Sequence, residues 1–201
     1  MNHVKSLEEL EALYPRPAGA SLSKVAPALT QAYARWIARS RFCILSTVGP
    51  EGVQATPRGD DRPVVRIEDP RTLLLPDWRG NNRLDNLRNI VADGRASLMF
   101  LVAGSNNVIR CNGQARLRRD TALCDSFARN GAVPRTVIEF TLSEVYVQCA
   151  RALMRSGLWR AGDCSEGLPT VGEIVAEVTE GGFDGATYDA TWQERARDTL
   201  W

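Results

Sequence analysis

The sequence predicts a mainly β domain, an antiparallel sheet or barrel with flanking helices. Three observations predict it. Short runs of strand-forming residues follow one another through tight turns, as in Phe42-Cys-Ile-Leu-Ser-Thr-Val48, Gly49-Pro-Glu-Gly52 and Val53-Gln-Ala-Thr56. Helical periodicity is confined to the two ends and two interruptions. No repeat or low-complexity linker divides the 201 residues, a length that suits one domain. Consecutive short strands joined this way favour antiparallel over parallel pairing.

The elements follow in order. Ser6 and Glu9 have capping-box spacing and open a short helix to about Tyr14, stopped by Pro15 and Pro17. A longer helix is predicted over residues 23–40, with Leu29, Tyr33, Trp36 and Ile37 as its apolar stripe and Pro27 in its first turn. Residues 42–48 and 53–56 form a hairpin, and 63–67 and 72–75 a second strand pair. A helix over 82–91 presents Leu84, Leu87, Ile90 and Val91 on one face. Residues 96–102 form a continuous apolar strand, expected to be buried on both faces. Residues 108–118 form a strand with a bulge at Gly113. Asp120 caps a helix to about Asn130, ended by Gly131. A long strand over 137–149 and short tail helices near Thr170 and Thr191 complete the chain. The expected parts are an N-terminal helical extension (1–40), the barrel (41–150) and a helical tail (151–201), one domain in all.

Composition narrows the chemistry. The formal net charge of +1 provides no global field for nucleic acid or an acidic membrane. No apolar run is long enough to span a bilayer. The polar, acidic start over residues 1–13 does not resemble a secretion signal. Cys43, Cys111, Cys124, Cys149 and Cys164 are odd in number and never spaced C-x-x-C. They are expected to be small buried hydrophobes in a reducing, cytoplasmic setting, with no metal site. His3 is the only histidine and sits near the start, so a histidine-based triad has no obvious member. Redox or group-transfer chemistry would then fall to a bound organic cofactor. The chain has 23 arginines and two lysines, so an anion site here must be built from arginine and backbone amides.

The most distinctive stretch is Leu73-Leu-Leu-Pro-Asp-Trp-Arg-Gly-Asn-Asn-Arg-Leu-Asp-Asn-Leu-Arg-Asn-Ile90. A strand enters a polar loop at Gly80, and a helix is predicted to open at Asn82 as its cap. The unpaired amides of a helix start, with Arg79 and Arg83, suit a phosphate. An amphipathic helix with a solvated arginine face explains the same spacing, and neither a Rossmann turn nor a P-loop is present.

Several segments, in order, resemble the pyridoxamine 5′-phosphate oxidase family of FMN-binding split barrels. They are Phe42-Cys-Ile-Leu-Ser-Thr47, Thr56-Pro-Arg-Gly-Asp60, Leu75-Pro-Asp77 through Asn86, Asp93-Gly-Arg-Ala-Ser-Leu-Met-Phe100 and Ile109-Arg-Cys-Asn-Gly113. The similarity spans about residues 40–160. The run from Cys149 to Trp159 resembles an uncharacterised branch of the family. The true oxidase's C-terminal strand, which grips pyridoxal phosphate, has no counterpart in Gly181-Gly-Phe-Asp-Gly185 or the stretch from Tyr188 to Trp201, and Arg66 stands near the position of an expected lysine.

The resemblance implies a six-stranded antiparallel split β-barrel of Greek-key type. It implies FMN as cofactor and a homodimer with the flavin at its interface. By the same resemblance Arg79 and Arg83 hold the phosphate, with Gly80 in their loop and Asn81, Asn82 and Asn86 adding hydrogen bonds. Arg58, Gly59 and Asp60 lie along the pyrimidine edge, Pro76 and Asp77 on the ring's other side, and Arg110 arrives from the second subunit. Alternatives stay open: Arg58 as a surface ion pair with Asp60 or Asp61, Arg110 as a solvated strand charge, Trp159 as packing. The implied activity is an FMN-dependent oxidoreductase of a small-molecule substrate or electron donor, with no obligatory acid or base side chain. A non-catalytic flavin, haem or tetrapyrrole binder, with Cys43, Cys111 or Met99 as axial ligand, is the second reading, and a deazaflavin-dependent reductase the third.

Overall fold

A computed structural model of the chain describes residues 3–50 and 52–200. Glu51 of the first predicted turn, Met1 and Asn2 of the polar start, and Trp201 of the tail lie outside the described residues. Seven strands form one antiparallel sheet: β1 (Phe42–Gly49), β2 (Gly52–Gly59), β3 (Arg66–Asp69), β4 (Thr72–Asp77), β5 (Arg95–Leu101), β6 (Val108–Arg118) and β7 (Thr136–Gln148). Their order is β2-β1-β5-β6-β7-β4-β3. The strand count is therefore seven rather than six, because β3 adds itself outside β4, and the sheet is open between its edge strands β2 and β3. Pro57, which has no N–H for a central ladder, sits on the edge strand β2. The ends of β2 and β4 still approach each other, so the sheet curls around its core.

The helices are α1 (Leu7–Ala12), α2 (Gly19–Ser23), α3 (Gln31–Ile37), α4 (Asp85–Ala92), α5 (Thr121–Asp125), α6 (Arg151–Ser156), α7 (Val171–Val178), α8 (Gly185–Ala190) and α9 (Trp192–Asp198). Ser6 caps α1 by accepting from the Glu9 amide, but the Glu9 carboxylate turns to the Lys5 amide, so only half of the predicted box forms. At Thr170 the full capping box is present.

The helix expected over 23–40 is two pieces. Ala26 leaves the helical path to exchange both backbone hydrogen bonds with Val145, at 2.9 and 2.8 Å. Pro27 follows outside any helix, and Thr30 caps a fresh start by accepting from the Tyr33 amide. The Tyr33 hydroxyl then donates to the Lys24 carbonyl at 2.6 Å and accepts from the Val147 amide, which ties the break to β7. Leu29 and Ile37 do enter the core.

Strand β5 alternates instead of being buried on both faces: Ala96, Leu98 and Phe100 face the core, while Ser97, Met99 and Leu101 are half-buried. Gly113 marks the predicted bulge, where the β6–β7 register shifts. An added Cβ there would lie 2.0 Å from the Thr141 carbonyl oxygen, so no side chain fits without moving β7. Asp120 caps α5 as expected, but the helix stops at Asp125. The Ser126 hydroxyl folds back onto the Leu123 carbonyl, and Asn130 and Gly131, both at positive φ, turn the chain so that Arg129 pairs with Ala132.

One main core, with Leu45, Leu73, Leu98, Phe100, Ile138 and Phe140 fully buried, lies inside the curl. Among the five thiols, Cys43, Cys111 and Cys124 are buried as expected, whereas Cys149 and Cys164 are exposed, since both follow the barrel in the thinly packed tail. None is in a disulfide. The Trp159 indole donates to the Ser105 carbonyl at 2.7 Å, a packing contact that holds α6 against the β5–β6 turn.

Candidate functional site

Alternation along β2 places Gln54, Thr56 and Arg58 on one side and Val53, Ala55, Pro57 and Gly59 on the exposed other. Opposite them on β1 stand Thr47, Leu45 and Cys43, all buried, so the β2 row continues the core face to the rim of the sheet. Across from it, β4 ends at Asp77, which pairs in register with Thr136 of β7. The Arg58 guanidinium meets the Asp77 carboxylate at 2.7 Å, joining the ends of β2 and β4. The alternative pairing of Arg58 with Asp60 or Asp61 is not what forms. Those two carboxylates both contact Arg129, from the turn before β7.

Between these strands, the loop over 78–84 and the start of α4 lies a cavity of about 920 Å³, within the range typical of small-molecule and cofactor sites. Arg58, Arg79, Arg83 and Arg135 line it against two carboxylates, Asp77 and Asp85. That excess of two positive charges matches a phosphate dianion. Arg83 is 74% exposed and pairs with Asp85 at 3.0 Å, a contact worth little by itself. Arg79 and Arg135 form no ion pair among the described residues.

The helix start differs from expectation. Asn82 does not cap it: Asn82 and Leu84 both adopt left-handed φ, 59° and 63°, and α4 begins only at Asp85, with no side-chain cap. The loop needs that geometry to turn Asn86 and Asn89 inward, where both are buried. The Asn86 amide donates to the Thr47 hydroxyl at 3.0 Å and lies 3.4 Å from the Leu45 and Gln54 carbonyls. Asn89 donates to Thr47 and to the Gly52 carbonyl at 3.1 Å. An asparagine clamp thus pins α4 to the β1–β2 hairpin, and the predicted apolar face is rotated: Leu84 and Val91 are exposed. Gly49 leaves room for the clamp, because a Cβ there would lie 2.2 Å from the Asn89 side-chain oxygen.

Eight residues expected at the site line the large cavity: Arg58, Asp77, Arg79, Gly80, Asn81, Asn82, Arg83 and Asn86. Gly59, Asp60 and Pro76 instead line a second cavity of about 410 Å³, which shares Pro57, Arg58, Trp78, Arg79 and Gly80 with the first. Asp60 is 3% exposed and accepts from the Trp78 indole at 3.2 Å as well as from Arg129 and the Arg62 amide. Its role is to anchor the wall between the cavities. Arg110 lines neither cavity; its guanidinium lies 5.4 Å from the Tyr146 ring centroid, across the β6–β7 ladder. His3, Cys43, Cys111 and Met99 line neither cavity, so none is placed as an axial ligand.

Sequence reasoning missed Gln54, Thr56, Trp78, Arg135 and Thr136. The Gln54-x-Thr56-x-Arg58 alternation was the available signal for the first two. Arg135 and Thr136 arrive through β4–β7 pairing, about 60 residues from Asp77 in sequence. Four buried polar side-chain atoms have no hydrogen-bond partner among the described residues, and three of them, Thr56 Oγ1, Thr136 Oγ1 and Arg58 Nε, belong to residues that line the large cavity. Unanswered buried polar groups cost stability unless something else satisfies them.

The model of the pyridoxamine 5′-phosphate oxidase family matches residues 29–149. The chain belongs to that family. The match begins just before α3 and ends with β7, so it contains the whole sheet and α4, and leaves α1, α2 and the tail helices outside it. No curated protein matches the chain. HupZ of Group A Streptococcus overlaps 59% of this chain and 94% of its own at 14% identity, with a TM-score of 0.48. General Stress Protein 26 of Bacillus anthracis overlaps 57% and 88% at 16% identity, TM-score 0.41. An FMN-binding protein of Syntrophomonas wolfei overlaps 57% and 88% at 13% identity, TM-score 0.42. Likenesses this weak transfer neither ligand nor activity. Among the described residues, no helix is long and apolar enough to cross a membrane, and no His, Cys, Asp and Glu cluster could hold a metal ion.

Proposed function

We propose that this member of the pyridoxamine 5′-phosphate oxidase family is an FMN-dependent oxidoreductase acting on a small molecule. One observation carries the reading: Arg58, Arg79, Arg83 and Arg135 line one cavity of about 920 Å³ together with Thr56 and Thr136, whose hydroxyls have no hydrogen-bond partner. A ligand with a dianionic end and a polar ring edge fits that donor set.

Arg79, Arg83 and Arg135 would hold the phosphate through charge-assisted hydrogen bonds, with Asn81 and Asn82 beside them. Asn86 acts one step back, since its amide is spent on the β1–β2 hairpin. Thr56 and Thr136 would bond to the ring edge or ribityl chain. Arg58 would bring positive charge to the ring while Asp77 fixes its guanidinium plane. FMN, when bound, supplies hydride transfer at its N5 position. The chain's part is to orient that ring, set its electrostatics and exclude water from one side with Trp78. The reading includes a homodimer: Arg110, which lines neither cavity of its own chain, joins a flavin only from a second copy.

The test is mass spectrometry of the small molecule released when the purified protein is denatured. FMN in near-stoichiometric amount is expected. A haem or deazaflavin in its place, or an absence of flavin together with failure to bind added FMN, overturns the assignment.

A further inference from the structure

We infer that α1 docks on α6 of a second copy of this chain, and that the second copy returns the contact, so that the pair is closed by two equivalent helix exchanges. The inference deepens the homodimer of the flavin reading and rests on it, because the second copy has to lie beside Arg110.

α1 lacks a partner within its own chain. Every residue from 3 to 23 is exposed, Leu7 at 76%. Leu7, Leu10 and Tyr14 recur at helical spacing and form an apolar stripe that the rest of the chain leaves open. Six residues of helix are marginal alone in water, where about 12–15 are needed. Glu8, Glu9 and Glu11 flank the stripe, and residues 6–14 contain no lysine or arginine. α1 is thus an acidic, apolar helix without a docking surface.

α6 offers the complement. Arg151, Met154 and Arg155 share one face, and Leu158 follows beyond the Gly157 turn. Met154 is 63% exposed and Leu158 51%. Residues 149–160 carry Arg151, Arg155 and Arg160 and no carboxylate. Three negative charges on α1 therefore match three positive ones around α6, each set beside exposed apolar side chains. Glu8, Glu11, Arg151, Arg155 and Arg160 form no ion pair among the described residues, so both sets are available. The other acidic helix of this kind, α7, is already engaged: Glu173 closes its capping box, and Gly172 packs tightly against Gly185 of α8.

α6 is held where a second copy can reach it. It follows β7, in which Tyr146 pairs with Arg110 and Gln148 with Val108. The Trp159–Ser105 hydrogen bond fixes its far end. A second copy that receives Arg110 at its flavin thus lies next to α6. Lys24 and Arg110 both approach the Tyr146 ring, at 5.9 and 5.4 Å from its centroid, so positive charge continues from α6 along this edge. Residues 13–18, with Pro15 and Pro17, can carry α1 up to about 20 Å from its own barrel.

Sedimentation velocity on the flavin-loaded full chain tests this with two charge-reversed pairs, Glu8→Lys with Glu11→Lys on α1 and Arg151→Glu with Arg155→Glu on α6. Each pair alone is expected to weaken the dimer at least tenfold with circular dichroism unchanged. An equimolar mixture of the two is expected to regain the parent's affinity, because both contacts of a mixed dimer then join opposite charges. Docking of α1 on its own chain cannot give that rescue. Where reversal disturbs folding, Glu8→Gln with Glu11→Gln makes the same comparison and is expected to weaken the dimer in the same direction. A monomeric parent, unchanged affinity in both pairs, or a mixture as dissociated as its components overturns the inference. The two readings fail separately. A charge-matched dimer that takes up no flavin removes the cofactor and leaves the helix exchange. A flavin-bound dimer indifferent to these charges does the reverse.

Discussion

Arg58 and Asp77 form an ion pair at 2.7 Å between strands that are not neighbours in the sheet, β2 at one edge and β4 next to the other. Their side chains are 21% and 16% exposed, so the contact is partly shielded from water. With the Trp78–Asp60 hydrogen bond one residue further on, it links the two ends of an open sheet around the cavity.

Asp77→Asn is expected to destabilise the fold by about 1–3 kcal/mol, because it leaves a half-buried guanidinium without its counter-charge. Removing both charges, as in Arg58→Met with Asp77→Leu, is expected to cost less than the sum of the two single substitutions. Urea unfolding of Arg58→Met, Asp77→Leu and the double variant measures this coupling. Additive losses would show that the pair does not hold the strand ends together.

The asparagine clamp has a sharper signature. Asn86 donates toward Thr47, Leu45 and Gln54, all acceptors. Asn86→Ala loses those bonds, at about 1–3 kcal/mol. Asn86→Asp is isosteric but turns a buried carboxylate toward oxygen atoms, so its midpoint in urea is expected to fall below that of Asn86→Ala. The reverse order would mean that the side chain does not sit as a donor.

How far the molecule could be read in advance depends on the range of the interaction. Strand β6 spans 108–118 as its pattern predicts, and Ser6, Asp120 and Thr170 cap their helices, because alternation and capping act within a few residues. The helix predicted over 23–40 is broken because Ala26 answers to Val145, more than a hundred residues away. Asn82 satisfies every local criterion for a cap, yet Asn86 and Asn89 must reach a hairpin some forty residues earlier, and that demand sets the phase of α4. The cavity's arginines were visible in the 79–83 run. Arg135 was not, because only the β4–β7 ladder brings it there.

Flavin binding is expected to depend on Arg135 more than on Arg83. Arg83 already shares its charge with Asp85. Arg135 has no ion-pair partner among the described residues and borders the same cavity. Arg135→Ala should weaken FMN by about tenfold, some 1.4 kcal/mol, and Arg83→Ala by less. Fluorescence titration of the flavin-free protein decides the order. Unchanged affinity in Arg135→Ala removes that residue from the phosphate site.

Stability is expected to fall in alkali through a defined route. Burial pushes the Cys43 thiol up from 9.0 to about 12, with the Arg58 charge opposing the rise. Burial, then Cys43, raises Cys111 to about 12 as well. The folded chain holds both protons where the unfolded chain releases them. Their contribution is complete below the unfolded value of 9.0 and is lost as pH climbs toward 12. Urea midpoints measured between about pH 8 and about pH 10.5 should decline, and less steeply in Cys43→Ala than in the parent. An identical slope in the two proteins would place the alkaline loss elsewhere.

Pro57 gives the rim of this molecule a protective character. The strand that walls the cavity is also an outer strand, and outer strands offer a template on which other polypeptides can zip up into aggregates. A proline in that strand interrupts the row of amide donors such growth requires. The rim of the cavity is thereby kept from recruiting a neighbour's backbone.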